Sequence, residues 1–294
     1  MGRRRMIEKI FIPTVNRPDS QLTYNKLPDA LKKITVMVVQ AWERDQYDYP
    51  CEYLVLPDTD EYHFDHYYCL PKTRKFIYEA GQDMKYAVLD DDLVFIRRNA
   101  KYWTGISNME MSKKTSTEED ILEMFEKFSG WLDLDTVTIC GCGPSALPPT
   151  PIEYRNNSFL YCGLWINGSD FKHELHELDL TSIKIAEDVF FLLQMLDRGY
   201  GNRQSNEFAF LNSSVHKKDY GSTCWDKQSF DDTHKDHKYI EKRFPNTFNV
   251  VYDENGERTK GGFRNYGRTK IKWGKTFKPR TNTLEAFLEE QNSE

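Results

Sequence analysis

Residues 34–39 read ITVMVV, an apolar run without a polar break, rich in β-branched side chains. A strand with one wet face alternates apolar and polar residues. A strand that does not alternate must be covered on both faces, as an inner strand of a parallel sheet between helical layers is. Three similar short runs accompany it: Lys9–Thr14 (KIFIPT), Glu52–Pro57 (EYLVLP) and Lys85–Asp90 (KYAVLD). Gln21–Lys32 reads as a short helix. Lys72–Ala80 reads as another, with Gly81 as its C-cap. The order strand, helix, strand, strand, helix, strand predicts an α/β fold with a mostly parallel central sheet flanked by helices.

Further along, Ile106–Thr117 is polar and reads as a loop. Thr117 then opens a helix on which Ile121, Leu122, Phe125 and Phe128 recur at helical spacing. Val137–Cys140 is a strand candidate, and the Gly- and Pro-rich stretch Gly141–Pro151 is expected to be a loop. Phe159–Ile166 is an aromatic, apolar run closed by Asn167-Gly168. Ile185–Leu196 reads as a helix with Gly199 beyond its end, and Phe208–Leu211 as a short strand. Past about residue 225 the chain turns polar, basic and aromatic, which divides it into a main domain, 1–225, and a C-terminal extension, 226–294. No internal repeat is visible.

With 18 Phe, 17 Tyr and 6 Trp the chain has ample material for a core, which excludes a disordered protein. No apolar run approaches the roughly 20 residues of a membrane helix. The start, MGRRRMIEKIFIPT, lacks the apolar core of a signal peptide. A cytoplasmic location is therefore expected, the host cytoplasm if the protein is phage-encoded. Cys51, Cys69, Cys140, Cys142, Cys162 and Cys224 are then expected to be reduced thiols. Cys140-Gly141-Cys142 is too tight for a usual zinc pair.

The run KYAVLDDDLVF places Asp90, Asp91 and Asp92 between two apolar segments. Three adjacent carboxylates there need a positive partner or full solvation. On an extended chain Asp90 and Asp92 face one side, roughly 7 Å apart, and Asp91 faces away. In open α/β sheets ligands bind at the carboxyl ends of strands, and hard oxygen ligands suit Mg²⁺ or Mn²⁺. The plain alternative is a solvated acidic turn. Pro13-Thr14-Val15-Asn16-Arg17 follows the first strand, where a nucleotide base and ribose can rest. Arg74, 16 positions before Asp90, can pair with a phosphate or with the acids. Glu187-Asp188 opens a helix, where acids also simply complement the helix dipole. His216 follows the short strand at Phe208–Leu211.

Taken in order, Asp90-Asp91-Asp92, the glycine-containing segment Tyr161–Gly168, Ala186-Glu187-Asp188 and His216 resemble the motif series of GT-A nucleotide-sugar glycosyltransferases. That series is a DxD motif, a glycine loop, an acid pair and a late histidine. The likeness spans roughly residues 7–220. It implies a Rossmann-like fold, a nucleotide-sugar donor, expected to be a UDP-sugar, and Mn²⁺ or Mg²⁺. Carried over, Asp92 is the main metal ligand, His216 completes the metal shell, and Asp90 is a metal ligand on the nucleotide side. Pro13, Thr14, Asn16, Arg17, Arg74 and Asp91 line the donor site. Asp188 is the base toward the acceptor hydroxyl, with Glu187 beside it.

The N-terminal run IFIPTVNRPDSQLTYNKLP is similar to phage-type enzymes that modify DNA bases, including the TET-associated glycosyltransferases, which attach sugars to 5-hydroxymethylcytosine. That implies a DNA acceptor. The charge distribution points the same way. The net charge is −6, yet residues 258–280 carry nine Lys/Arg and no acid, so the remainder sums to −15. There Phe263, Tyr266, Trp273 and Phe277 interleave with Arg264, Arg268, Lys270, Lys272, Lys275 and Lys278. Cations neutralise phosphates, and aromatics stack on unpaired bases. The competing readings are a GT-A enzyme for a polysaccharide or protein acceptor, a plain cationic extension, and a non-catalytic nucleic-acid-binding protein.

Overall fold

The computed structural model describes residues 6–63, 69–98, 113–145, 152–212, 230–255 and 269–280. Its sheet is built from β1 (Lys9–Pro13), β2 (Thr35–Val39), β3 (Glu52–Val55), β4 (Lys85–Leu89), β5 (Leu93–Arg98), β6 (Lys113–Thr115), β7 (Ile139–Pro144), β8 (Tyr154–Asn156), β9 (Gly163–Asn167) and β10 (Asn202–Asn212). The order across it is β3-β2-β1-β4-β9-β7-β10-β5-β6, with β8 also against β10. β1, β2, β3 and β4 form a parallel block. β9 runs against both β4 and β7, β10 is parallel to β7, and β5 and β8 oppose β10. β6 opposes β5 in turn. Three strands, β5, β8 and β9, thus run against the other seven, which makes this the expected α/β fold with a largely co-directional sheet.

The parallel block shows why its sequence does not alternate. On β1, Ile10 and Ile12 enter one core and Phe11 the other. On β2, Met37 and Val39 face the first core, Val36 and Val38 the second. The first core is covered by α4 (Glu118–Trp131) through Ile121, Phe125 and Phe128. The second is covered by α3 (Cys69–Ala80) through Ile77 and Tyr78, and by α5 (Glu187–Asp197) through Phe191, Leu192 and Met195. Each such buried side chain contributes about 1.5–3 kcal/mol. α4 starts with a capping box, Thr117 Oγ accepting the Asp120 N–H and Asp120 accepting the Thr117 N–H.

Several expectations change. Gln21–Lys32 is not one helix but two short ones, α1 (Leu22–Lys26) and α2 (Asp29–Lys32), because Pro28 lacks the N–H that would continue the first. Gly81 does not take a left-handed C-cap; its missing Cβ makes room for the Tyr86 ring, 2.4 Å from where that atom would sit. Gly199 does take the left-handed form, with φ +85°. Gly141–Pro144 is no loop but the buried end of β7. A Cβ on Gly141 would meet the Gly163 carbonyl oxygen at 2.5 Å, so the central strands approach closely only with glycine there. The polar stretch before α4 contributes β6. The strand expected at Phe208–Leu211 is the end of β10, 11 residues long.

The C-terminal residues are not a bare extension. α6 (Phe230–Arg243), β11 (Phe248–Val250), β12 (Thr269–Ile271) and α7 (Trp273–Thr276) pack on α5. Their core joins Ile240, Phe244, Phe248 and Val250 to Ile183, Ile185, Phe190 and Leu193. Among the described residues no helix is long and apolar enough to cross a membrane, and Cys51, Cys69, Cys140, Cys142 and Cys162 are free thiols.

Candidate active site

β1, β2 and β4 run parallel, so the residues after each emerge at one edge of the sheet. The residues after β1 are Thr14–Arg17; after β2, Gln40–Glu43; after β4, Asp90–Asp92. β4 ends at Leu89, and the three acids form a turn into β5. Strand alternation therefore does not hold for them, and Asp91 does not face away. Thr23 clips the turn: its hydroxyl donates to the Asp90 carbonyl (2.5 Å) and accepts the Leu93 N–H (2.8 Å), and its own N–H donates to the Asp91 carbonyl (3.0 Å).

The positive partners of the acids are two arginines. Arg17 Nη1 lies 2.5 Å from Asp91 Oδ1 and 3.7 Å from Asp92 Oδ2. Asp91 also accepts the Thr14 hydroxyl at 2.7 Å, and Thr14 in turn accepts from Gln21 Nε2 at 2.7 Å. Burial pushes the Asp91 carboxyl up to about 7, against the opposing pull of Arg17. Arg74, on α3, reaches from the other side. Its Nη2 lies 3.0 Å from Asp90 Oδ1, and its Nε 3.2 Å from Glu187 Oε1 at the start of α5. Burial alone would lower the Arg74 guanidinium, but Asp90 and Glu187 outweigh it and hold it firmly charged. Of the three turn acids, Asp90 is the most accessible, its side chain 27% exposed.

Arg74 thus joins the acid turn to Glu187-Asp188, which the sequence separates by nearly a hundred positions. Burial raises both the Glu187 and the Asp188 carboxyls; Asp188 adds to the shift of Glu187, and Arg74 opposes both. Asp188 Oδ1 accepts the Val189 N–H at 2.7 Å, a first-turn bond that also fits the helix dipole. The stretch leading into α5 is held from α6: buried Asp236 accepts the Lys184 and Ile185 N–H groups at 2.8 and 2.9 Å.

Backbone strain gathers here. Among the described residues, four non-glycine residues have left-handed φ, and three of them border the acids: Asn16 (57°) beside Arg17, Cys162 (56°), whose carbonyl accepts the Asp90 N–H, and Ala186 (62°), the N-cap of α5. Such conformations cost on the order of 1–3 kcal/mol each and persist where surrounding contacts enforce them, commonly at functional sites.

The expected donor-side residues Pro13, Thr14, Asn16, Arg17, Arg74, Asp90 and Asp91 thus meet at this edge with Asp92, Glu187 and Asp188. The start of the glycine segment reaches the edge, the Cys162 carbonyl accepting the Asp90 N–H at 3.1 Å, while Gly163–Asn167 form β9, largely buried within the sheet. Trp165 is fully buried against Phe125, Phe128 and Phe210. Gly163 is required by the Phe210 ring, and Gly168 by the Gly81 carbonyl. His216, Arg264 and Arg268 lie outside the described residues. Glu43, Tyr47, Thr23 and Asp236 were missed, since no motif or periodicity marks a lone buried polar residue.

As to a metal, no group of three His, Cys, Asp or Glu side chains suited to an ion converges among the described residues. Asp90 and Asp92 offer two hard carboxylate donors, a set that fits Mg²⁺ or Mn²⁺ once a third ligand joins.

A sequence profile of the family described as TET-associated glycosyltransferase (TAGT) matches residues 8–220, a span that contains every element of this edge. The chain belongs to that family. The arginine-linked acids lie at the carboxyl ends of its parallel strands, where open α/β sheets commonly bind ligands. No curated protein matches the sequence. Among solved structures, the apo-form glycosyltransferase GlyE of Streptococcus pneumoniae TIGR4 is similar at 14% identity with a TM-score of 0.38. The match covers 67% of this chain and 44% of that one, so the chain spans less than half the length of that neighbour.

Proposed function

We propose that this glycosyltransferase moves a sugar from a UDP-sugar to a hydroxymethylated base in DNA, 5-hydroxymethylcytosine in phage DNA, with the help of Mn²⁺ or Mg²⁺. The observation that carries the reading is the family match over a span holding Asp90–Asp92, Arg17, Arg74 and Asp188 at one sheet edge.

In the transfer, the bond from the sugar's anomeric carbon to the diphosphate oxygen breaks and a bond to the acceptor hydroxyl oxygen forms. Asp188 takes the hydroxyl proton. Burial raises its pKa, which makes it a better proton acceptor at neutral pH than a solvated aspartate. The nucleoside diphosphate leaves with growing negative charge, and Arg17 and Arg74 are the cations at hand to meet it. Asp90 and Asp92, with His216, would hold the metal, which supplies further charge stabilisation at the leaving group. Asp91 acts by holding Arg17 and Thr14.

For the acceptor, β12 and α7 present Lys270, Lys272, Lys275 and Lys278 to solvent. They join Arg264 and Arg268 in the basic stretch. Trp273 and Arg280 have other duties: Trp273 packs near Phe159, ring centroids 5.9 Å apart, and Arg280 covers the Tyr200 ring and pairs with Glu174. Lys278 pairs with Asp197, so Lys270, Lys272 and Lys275 are the phosphate-binding candidates.

The test is a panel of sugar nucleotides with and without Mn²⁺, offered hydroxymethylated or plain DNA and read by mass spectrometry of the nucleosides. Transfer confined to hydroxymethylated DNA is the expected result. Donor hydrolysis without transfer to DNA would move the acceptor to a polysaccharide or protein. Affinity for DNA should fall with salt by about 0.7–0.9 log units per log unit for each phosphate contact. Neutralising Arg264, Arg268, Lys270 and Lys272 should flatten that slope.

A further inference from the structure

Arg17 meets the acids only because the corner before it turns sharply, and that corner is held from below. Asn16, at φ 57°, donates its N–H to Glu43 Oε2 at 2.7 Å. The next N–H, that of Arg17, donates to the Tyr47 hydroxyl at 3.2 Å, and that hydroxyl donates to the same Glu43 oxygen at 3.3 Å. The other Glu43 oxygen accepts the Gln40 N–H at 3.4 Å. Glu43 is fully buried and Tyr47 is 3% exposed. Among the described residues no cation pairs with Glu43: its partners there are two backbone N–H groups and a phenol.

The direction of each hydrogen bond is determined by its neighbours. The Thr14 hydroxyl donates to Asp91, and the Tyr47 hydroxyl, 3.5 Å from Thr14 and 3.3 Å from Glu43 Oε2, donates to the carboxylate, the stronger acceptor. That leaves the Tyr47 oxygen free to accept from Arg17. Two relays run side by side. One goes from Gln21 through Thr14 to Asp91, the other from the Arg17 backbone through Tyr47 to Glu43. Both end on buried carboxylates, and both fix residues 14–17.

We propose that Glu43, acting through Tyr47, is a positioning residue for donor binding: it locks the Asn16–Arg17 corner in its left-handed turn and so aims the Arg17 guanidinium at the acid turn and the donor's phosphates. Burying a carboxylate among donors alone is costly unless each donor is used. Here one donor, the Asn16 N–H, belongs to the loop that carries Arg17, and a second, the Tyr47 hydroxyl, accepts from that loop, while the Gln40 N–H closes Glu43's own turn. The proposal rests on the donor-site reading of the β1 corner.

The test uses Glu43→Gln and Tyr47→Phe in the full chain. Glutamine has the shape of glutamate but turns one acceptor into a donor, so it must set an N–H against an N–H or a hydroxyl. Tyr47→Phe keeps Glu43 on Asn16 but removes the acceptor for Arg17 together with one of the three donors to Glu43, so it remains informative if Glu43→Gln fails to fold. Amide hydrogen exchange followed residue by residue is the first readout. Asn16 and Arg17 should exchange at least about tenfold faster in Glu43→Gln, the loss expected for one buried hydrogen bond of about 1.4 kcal/mol, while amides of β2 and β4 stay protected. In Tyr47→Phe only Arg17 should change. The second readout is steady-state kinetics: KM for the sugar nucleotide should rise about tenfold with kcat held within about twofold, the signature of lost binding and not of lost chemistry. Unchanged exchange at Asn16 and Arg17 in both variants overturns the proposal, as does faster exchange with an unaltered donor KM. Failure of the donor-site reading looks different: saturating UDP-sugar would then leave residues 14–17 of the wild-type protein no better protected than without it.

Discussion

The two ends of the sheet both gather charge, but they hold it differently. At the carboxyl ends of β1, β2 and β4, each arginine is shared between two acids, every one of these side chains except Asp90 is about nine-tenths buried, and the backbone is strained on three sides. At the opposite ends a cavity of about 570 Å³ opens among Glu8, Lys85, Asp133, Asp170, Tyr200 and Arg280. There Lys85 pairs with Asp133, 2.5 Å away, and Arg280 with Glu174. Lys85 and Asp133 form a single pair, Glu174 also lies 3.7 Å from Arg198, and both acids are partly exposed. The cavity end is thus electrostatically ordinary, and the carboxyl end of the strands is where charge has been concentrated against its own solvation. The proposed transfer, which brings a diphosphate and a proton to one place, benefits from such fixed, poorly solvated charges.

The strongest way to break this contrast is to remove the shared cation. Arg74→Gln leaves Asp90, Glu187 and Asp188 clustered without a counter-charge. Removing one partner of a buried pair costs about 3–5 kcal/mol, and urea unfolding should show a loss of that size together with loss of transfer. Lys85→Gln, at the other end, removes a cation from the half-exposed Asp133 and should cost clearly less. Equal losses would mean that the two ends do not differ in the way described.

Next in size is the base. Asp188→Asn should lower kcat about a hundredfold or more while donor KM moves little, because a general base acts only in the transition state. If turnover stays near wild type, Asp188 is only a first-turn acid of α5, satisfied by the Val189 N–H.

How much of this was legible in the sequence depends on what each residue does. β1, β2, β4 and α4 were readable because burial on both faces leaves unbroken apolar runs, and because Thr117 and Asp120 form a capping box that sequence spacing reveals. β10 was cut short because its first half, Asn202 to Glu207, is polar yet mostly buried. Those side chains bond the neighbouring backbone, Asn202 with Ser158, Gln204 with Phe159 and Asn206 with Ile152, and leave no hydrophobic signal. The acids and both arginines were found from composition, but their pairing was not. Strand alternation was extended past Leu89, where the strand ends, so the middle acid was turned outward when it is in fact the one gripped by Arg17 and Thr14. Glu43 and Asp236 were invisible, since their roles exist only after the fold brings distant backbone N–H groups to them.

The grip on Asp91 gives a smaller effect with a definite sign. Its folded value, about 7, lies above its ordinary 3.8, so the folded state holds the proton more tightly than the unfolded chain does. Stability from this group is greatest at low pH and declines as pH rises toward and through 7. Between pH 6 and pH 8 the decline should be roughly 1 kcal/mol. Glu187 and Asp188, also shifted upward, add in the same direction. Asp91→Asn cannot ionise, so its stability should fall less over that interval. Urea unfolding of both proteins at pH 6 and 8 measures the difference. Parallel declines would show that Arg17 compensates Asp91 fully and that the turn is no tighter than an ordinary ion pair.

The smallest effect is expected at the cavity. Partial desolvation raises Asp170 to about 6 although its side chain is exposed at the cavity, and its carboxylate accepts Asn167 Nδ2 at 2.7 Å. This is the nearest that end comes to the electrostatics of the other, so Asp170→Asn is the sharpest control on the comparison. The substitution keeps the shape and an oxygen for Asn167. It also removes a charge that no short ion pair with Lys85 or Arg280 secures, since those cations are held by Asp133 and Glu174. With the donor and acceptor chemistry at the far ends of the strands, kcat and both KM values should stay within about twofold, a change of about 0.4 kcal/mol or less. Stability at pH 8 should hold, because the exposed carboxylate loses little by becoming an amide. A selective rise in acceptor KM would put the cavity on the acceptor's path, and the division between a working end and an ordinary end would have to be abandoned.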